Sequence, residues 1–157
     1  MGTRGQMFYL DPHHPGVIAP RKRPRTTLTP SLVMKDGKPY LVFGTPGGDQ
    51  QDQWTLQFFL NHLDFGMNLQ AAIDEPTFHS LHFPSSFYPR DAHPKRIVVE
   101  GRIGPEVRTA LAARGHEVVE RDAWINGQVT TVELDRRQSV LRGAASPRAT
   151  SAYVVGR

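Results

Sequence analysis

Residues 26–63, TTLTPSLVMKDGKPYLVFGTPGGDQQDQWTLQFFLNHL, contain the signals that decide the fold. Two β-prone runs flank Asp36-Gly37, a dipeptide that favours a tight hairpin turn, so residues 26–44 are predicted to form a β-hairpin. Farther along, apolar residues recur at i, i+3, i+4 and i+7, the spacing of one helix face: Leu56, Phe59, Leu60 and Leu63. The stretch therefore predicts a hairpin followed by a helix that buries this apolar stripe.

The predicted hairpin and helix are joined by two adjacent glycines, Gly47 and Gly48, within GTPGGDQQ (44–51). One interpretation is a strand-to-helix turn that needs a positive φ. The other is a cradle of backbone N–H groups that binds an anion or an oxyanion. Taken alone, the glycines leave both interpretations open.

The rest of the chain predicts further helices and strands. A short helix over 69–75 is expected between the N-cap residue Asn68 and Pro76, and a longer one begins at Gly104-Pro105 and ends at Gly115. Strands are expected at 96–103, at 116–120 and as a hairpin over 127–145 with its turn at 135–138. This order indicates an α+β fold in which helices pack on a mostly antiparallel sheet.

Length and composition exclude several classes of protein. The chain has 157 residues, enough for one domain with a sizeable core, and a net charge of +4. It contains no cysteine, which excludes disulfide scaffolds and thiolate zinc sites. No run approaches the roughly 18 apolar residues of a membrane span, and residues 1–16 lack the apolar centre of a signal peptide. We therefore expect a cytoplasmic chain without a membrane partner.

Several motifs at matching spacings resemble one family. They are RPRTTLTPSLVMKDGKPYLVFGTPGGDQQDQ (23–53), LDFGMNLQAAIDEPTFH (63–79), GPEVRTALAARGHEV (104–118) and, more weakly, GAASPRATSAY (143–153). Together they resemble the C-terminal part of the small subunit of the gamma-glutamyltransferase (gamma-glutamyl transpeptidase) family. The resemblance implies that residues 1–157 are the C-terminal portion of one four-layer αββα N-terminal-nucleophile (Ntn) hydrolase domain, with 1–25 as a loop-like lead-in segment.

The resemblance also implies a chemistry and a set of site residues. Members of the family expose a threonine whose hydroxyl attacks an amide while its own α-amine acts as the base. The segment with that threonine would lie before residue 1, so this chain alone is expected to lack the nucleophile. The family's glycine pair implies Gly47 and Gly48 as the oxyanion hole, and its serine pair implies Thr26 and Thr27 as the groups that hold the substrate carboxylate.

Two positions depart from the family pattern. GTRGQMF (2–8) places Gln6 and Met7 where the family has the acidic pair that binds the γ-glutamyl ammonium. Without a carboxylate there, a charge-assisted hydrogen bond is missing, which indicates a divergent branch acting on another acyl amide. Ser146 also replaces an aspartate of the family's D-P-R motif.

Other interpretations of these residues stay open. Thr26 and Thr27 also suit a β-strand, and RKRPR (21–25) also suits a phosphate-binding patch, although a solvated loop is more common. A metal site would need three or four converging ligands, and the candidate histidines are sparse: His13, His14, His79 and His82. We expect no metal, no cofactor and no nucleic-acid partner.

The sequence thus predicts part of an acyl-amide hydrolase or acyltransferase for glutathione or related γ-glutamyl or acyl amides. This chain would supply the oxyanion hole and acyl pocket, and the missing N-terminal, large-subunit portion would be its partner. The alternative is a catalytically inactive remnant or interaction fragment of the same family.

Overall fold

The structure, a computed structural model, describes residues 4–156. The strands are β1 (Ser31–Lys35), β2 (Lys38–Gly44), β3 (Phe78–Ser80), β4 (Arg96–Glu100), β5 (Glu117–Arg121), β6 (Thr130–Asp135) and β7 (Val140–Ala145). The helices are α1 (Gln51–Leu63), α2 (Leu69–Asp74) and α3 (Pro105–Ala113), with short 3-10 turns at Gly5–Met7 and Gly48–Gln50.

The strands of the described chain form two sheets. The first has the order β1-β2-β6-β7 and is antiparallel throughout. The second has the order β3-β4-β5, in which β3 and β4 are antiparallel and β4 and β5 are parallel. Because a parallel pair needs a crossover connection, α3 lies between β4 and β5 in the chain.

Local sequence signals set several element boundaries. Asp36 and Gly37 both have positive φ (52° and 71°), which confirms the predicted two-residue hairpin turn between β1 and β2. The Asn68 side chain accepts a hydrogen bond from the N–H of Ala71 at 2.9 Å, which confirms it as the N-cap of α2. Pro105 is the first residue of α3, as predicted.

The core lies between the first sheet and the helices α1 and α2. Its buried side chains are Leu41, Phe58, Leu69, Ala72, Ile73, Val129 and Ala144. The predicted stripe of α1 is wrong at two positions, since Leu56 is 55% exposed and Leu63 is 39% exposed. The helix instead buries Gln51 and Thr55 with Trp54 and Phe58, and the Thr55 hydroxyl donates to the Gln51 carbonyl. Two of its inward residues are thus polar, which an apolar periodicity does not detect.

Two glutamines of α1 bind the backbone of β3. The Gln53 side chain donates to the carbonyl of Ser80 at 3.1 Å and accepts from the N–H of Ser80 at 2.7 Å. One helical turn later, Gln57 donates to the carbonyl of Phe78 at 2.8 Å and accepts from its N–H at 3.1 Å. Since β4 occupies the other side of β3, these two amides satisfy the strand's outer edge.

A buried ion cluster joins the second sheet to the C-terminal segment. The Glu100 carboxylate is 0% exposed and accepts from Arg148 Nε at 2.6 Å and Nη2 at 2.8 Å. Arg102 adds a further bond at 2.8 Å and stacks on the ring of Trp124. Backbone N–H groups of Thr77 and Asn126 also donate to this carboxylate. The buried carboxylate is thus compensated by two arginines and two backbone N–H groups of the same chain.

Lowering the pH should therefore destabilise the fold, in part because Glu100 becomes protonated. Burial alone would raise the pKa of this carboxyl, but the hydrogen bonds and charge of Arg148, with those of Thr77 and Arg102, lower it to about 2. Because the folded pKa lies below the unfolded value, the stabilisation is fully present above about pH 4.5 and is lost as the pH falls toward 2. Urea unfolding of the wild type and of Glu100→Gln should give a free-energy difference that shrinks over this range. A constant difference would contradict this assignment.

The face of the first sheet opposite α1 and α2 is exposed and apolar. Leu32 of β1, Val42 of β2, Val132 of β6 and Leu141 of β7 are all exposed, with Leu32 at 57%. Leu32 pairs with Val42, and Val42 pairs with Val132, so three of these side chains share one face. A contiguous apolar face of this kind is typical of a surface that another layer covers.

Residues 4–30 contain no strand of either sheet and are held by side-chain contacts. The Arg90 guanidinium lies 3.7 Å from the centroid of the Tyr9 ring and donates to the carbonyl of Phe8 at 2.8 Å. Met7 is buried. These contacts attach the lead-in segment (residues 1–25), as far as it is described, to the connection between β3 and β4.

Candidate functional site

The double glycine forms the turn between β2 and α1. Gly47 has a φ of 139° and Gly48 a φ of 62°, both in the region that favours glycine. A Cβ at Gly47 would lie 2.2 Å from Cζ3 of the buried Trp54 ring, so close packing excludes any side chain there. A Cβ at Gly48 would lie 3.3 Å from Cε2 of Phe87, a contact that a small shift relieves. The turn interpretation is therefore correct. Close packing against Trp54 requires glycine at position 47, whereas at position 48 the main requirement is the positive φ.

The two glycine N–H groups differ in their hydrogen bonding. The Gln51 side-chain amide, oriented so that its nitrogen faces acceptors, accepts from the Gly48 N–H at 3.2 Å through its oxygen. The Gly47 N–H has no acceptor within residues 4–156. A backbone donor beside a helix N-terminus and without a partner is a ready site for an anionic oxygen.

Thr26 and Thr27 lie next to this turn and outside the sheet. Since β1 begins at Ser31, the alternative that they belong to a strand is wrong. The Thr26 hydroxyl accepts from the N–H of Leu28 at 3.1 Å, a local turn that leaves its side chain exposed. Thr27 is buried, and Arg4 approaches its hydroxyl at 3.5 Å.

One cleft of about 640 Å³ brings three of the four predicted site residues together. Thr26, Thr27 and Gly48 line it, whereas Gly47 is not part of the lining. The opposite wall comes from the connection after β3, with Leu81, Phe83, Pro84, Ser85, Asp91 and His93. The sequence did not indicate these residues as part of a site, because this aromatic, proline-rich connection carries no helical or strand periodicity.

Acidic side chains outnumber basic ones in the cleft. Asp49, Asp52 and Asp91 line it together with Arg25. The Asp49 carboxylate is already engaged, because it accepts from the N–H of Ser86 at 2.7 Å and from the Ser85 hydroxyl at 3.2 Å. These bonds fix the double-glycine turn to the opposite wall. Gln6 and Met7, the counterparts of the family's acidic pair, do not line the cleft.

The histidines do not assemble a metal site in the described chain. Within residues 4–156, no three His, Asp or Glu side chains converge as ligands. His79 packs edge-on against Trp54 with ring centroids 5.2 Å apart. Burial, followed by the charge of Arg121, lowers the pKa of His79 to about 4, so its imidazole is neutral at pH 7. In the same part of the chain, no helix has the length and apolarity needed to cross a membrane.

Comparison with known proteins extends the match along the whole chain. The sequence pattern of the Gamma-glutamyltranspeptidase family matches residues 2–156. The chain is 35% identical over 154 residues to the Glutathione hydrolase-like YwrD proenzyme of Bacillus subtilis (strain 168), which covers 97% of this chain and 28% of that protein. It therefore spans little more than a quarter of that relative's length.

Solved structures share the fold. The structure of LmbA2991T421A superposes with a TM-score of 0.92 at 47% identity, covering 100% of this chain and 28% of that one. The cephalosporin acylase from Bacillus halodurans superposes with a TM-score of 0.78 at 33% identity, covering 92% of this chain and 25% of the acylase. In both, the matched region is about a quarter of a longer chain.

Proposed function

This chain belongs to the gamma-glutamyltranspeptidase family, and from that premise we propose that it forms the oxyanion-hole and acyl-pocket part of an amide hydrolase or acyltransferase. The predicted α+β class and Ntn-hydrolase fold are confirmed by its structural neighbours. The chain covers only about a quarter of the YwrD proenzyme and of the cephalosporin acylase, so the activity of the whole protein is part of the proposal.

The observation that supports this function best is the shared cleft. Thr26, Thr27 and the glycine turn come from separate stretches of sequence, yet they line one cavity large enough for a small amide. The hydroxyls of the two threonines would donate to a substrate carboxylate. The Gly47 N–H has no acceptor within residues 4–156, and the Gly48 N–H would exchange Gln51 for the oxyanion.

The proposed reaction needs a nucleophile from outside this chain. The hydroxyl of an N-terminal threonine would attack the amide carbon, its α-amine would take the proton, and the tetrahedral oxyanion would form against the glycine N–H groups. Collapse breaks the C–N bond, and the proton passes to the leaving amine. Water, or an acceptor amine, then attacks the resulting ester and releases the acyl group.

The acyl group is proposed to be other than an unmodified γ-glutamyl. The segment that corresponds to the family's ammonium-binding acids has Gln6 and the buried Met7. Neither lines the cleft, whereas the exposed carboxylates of Asp52 and Asp91 do. An amide substrate of different shape or charge placement fits this arrangement better.

The missing portion is proposed to cover the apolar face of the first sheet. In a four-layer αββα fold, the sheet that has helices on one side packs its other side against a second sheet. Leu32, Val42, Val132 and Leu141 present such an exposed side, although Val154 lies against it at Gly143 of β7. A partner portion that contributes both this layer and the threonine would complete the core and the active site together.

Reconstitution tests this function. We expect the 157-residue chain alone to give no turnover of a γ-glutamyl anilide or of other acyl anilides, and the chain assembled with the remaining family sequence to turn over at least one of them. The control is the same assembly with the partner's N-terminal threonine replaced by alanine. Turnover by the chain alone would contradict the missing nucleophile, and a correctly assembled but inactive complex would favour the inactive-remnant alternative.

A further inference from the structure

We propose that Gln51 is a positioning residue whose side-chain amide holds the double-glycine turn and the Thr26–Thr27 segment in one fixed geometry. The inference deepens the proposed function, because these are the two halves of the proposed site. Gln51 itself is placed behind the cleft and does not touch the substrate in this proposal.

The carboxamide of Gln51 is surrounded by backbone groups. The side chain is at the first residue of α1 and is 6% exposed. Its nitrogen donates to the Thr27 carbonyl at 2.8 Å and lies within 3.1 Å of the Thr29 hydroxyl and 3.2 Å of the Thr45 carbonyl. Its oxygen accepts from the Gly48 N–H at 3.2 Å. One side chain thus contacts the threonine segment, the end of β2 and the glycine turn.

No other hydrogen bond within residues 4–156 joins these two halves directly. The Thr26 hydroxyl is used locally by Leu28, and the Thr27 hydroxyl has only the long contact with Arg4. The threonine segment lies outside the sheet, so no strand ladder fixes its position. Its distance from the glycine turn therefore depends on Gln51.

The Gln51 amide binds only one of the two glycine N–H groups. The Gly47 N–H has no acceptor among the described residues, although Gly47 itself does not line the cleft. By accepting from the Gly48 N–H, Gln51 orients this peptide, whose φ is 62°, until an oxyanion replaces the amide oxygen as its acceptor. A small displacement of such a donor can reduce a rate by as much as about a hundredfold. Gln51 is therefore expected to affect the reaction rate as well as the stability of the fold.

Two substitutions separate the two contacts of the amide. Gln51→Met keeps the volume and removes both hydrogen-bonding functions. Gln51→Glu, when ionised, still accepts from the Gly48 N–H but repels the Thr27 carbonyl. When it is protonated, its O–H can again donate to that carbonyl, and burial raises the pKa of such a carboxyl. The matched control is Gln138→Met, the same change at an exposed turn residue.

Amide hydrogen exchange of the 157-residue chain provides a readout that needs no catalysis. In Gln51→Met, we expect the Gly48 N–H to exchange about fivefold to tenfold faster than in the wild type, the change for one lost buried hydrogen bond. The N–H of Val99 in β4 should be unaffected, and Gln138→Met should match the wild type at both positions. An unchanged Gly48 rate in Gln51→Met would overturn the proposal.

Kinetics of the assembled enzyme test positioning itself. Gln51→Met should lower kcat/KM about tenfold to a hundredfold. Gln51→Glu should raise KM more than it lowers kcat at alkaline pH, and its kcat/KM relative to wild type should recover as the pH falls. A Gln51→Glu/wild-type ratio that does not change with pH would overturn the proposal, and this comparison decides the matter if Gln51→Met fails to fold. An inactive wild-type assembly would refute the proposed function, while the exchange measurement would still test Gln51.

Discussion

Replacing Arg148 with methionine is expected to lower the free energy of unfolding by about 3–5 kcal/mol, the usual cost of breaking a buried ion pair from one side. The Arg148 side chain is 1% exposed and donates to Glu100 and, at 2.7 Å each, to the carbonyls of Ile73 and Glu75. Its loss leaves a buried carboxylate with fewer partners and two carbonyls at the end of α2 without their donor. Both changes leave buried polar groups unsatisfied.

Urea unfolding followed by circular dichroism would measure this change. Arg142→Met is the matched control, because Arg142 pairs with Asp135 at 2.6 Å on the surface, with half of its side chain exposed, and should cost less than about 1 kcal/mol. Adding Glu100→Gln to the Arg148 variant removes the uncompensated charge and should restore part of the loss. A loss below 1 kcal/mol for Arg148→Met would show that the cluster is not a main source of stability.

Gly48→Ala is expected to reduce turnover of the assembled enzyme about 10²–10³-fold, the typical effect of disabling one oxyanion donor. The substitution keeps the N–H, but alanine disfavours a φ of 62° and its Cβ would press on Phe87 at 3.3 Å. Both effects are expected to displace the peptide and misalign its N–H with the oxyanion. The fold should be retained, because the strain is about 1–2 kcal/mol.

Steady-state kinetics and thermal unfolding of the same samples would separate rate from stability. Gly37→Ala is the matched control: its φ is 71° and no atom lies within 4 Å of the added Cβ, so it imposes similar backbone strain far from the cleft. It should leave turnover unchanged. Gly47→Ala is a less suitable test, since its Cβ would collide with Trp54 and disturb the core. Near-normal turnover in Gly48→Ala would contradict the oxyanion assignment.

Much of the fold follows from short-range signals. Asp36-Gly37, the Asn68 cap and Gly104-Pro105 each determine a boundary through backbone chemistry within a few residues, and the structure has all three. The family resemblance, carried by spaced motifs, gave the fold class correctly and identified residues that line one cleft.

The contacts missed by sequence analysis are long-range and polar. Arg148 and Glu100 are 48 residues apart and meet only after the second sheet and the C-terminal segment have formed. Gln51 and Gln53 have no apolar periodicity, so a pattern search treats them as solvent-facing. The predicted α1 stripe was wrong at Leu56 and Leu63 for the same reason, because polar side chains with buried partners replace some of the expected apolar ones.

The two glutamines that bind β3 show how a helix can determine the register of a strand. Residues four apart on a helix are separated by about 6 Å along its axis, and residues two apart on a strand by about 6.6–6.8 Å. Gln53 and Gln57 therefore match Ser80 and Phe78 in spacing, as a neighbouring strand would. A slip of β3 by one residue would break four hydrogen bonds at once. Since Ser80 and Gln53 both line the cleft, these hydrogen bonds also hold together the part of its wall where β3 meets α1.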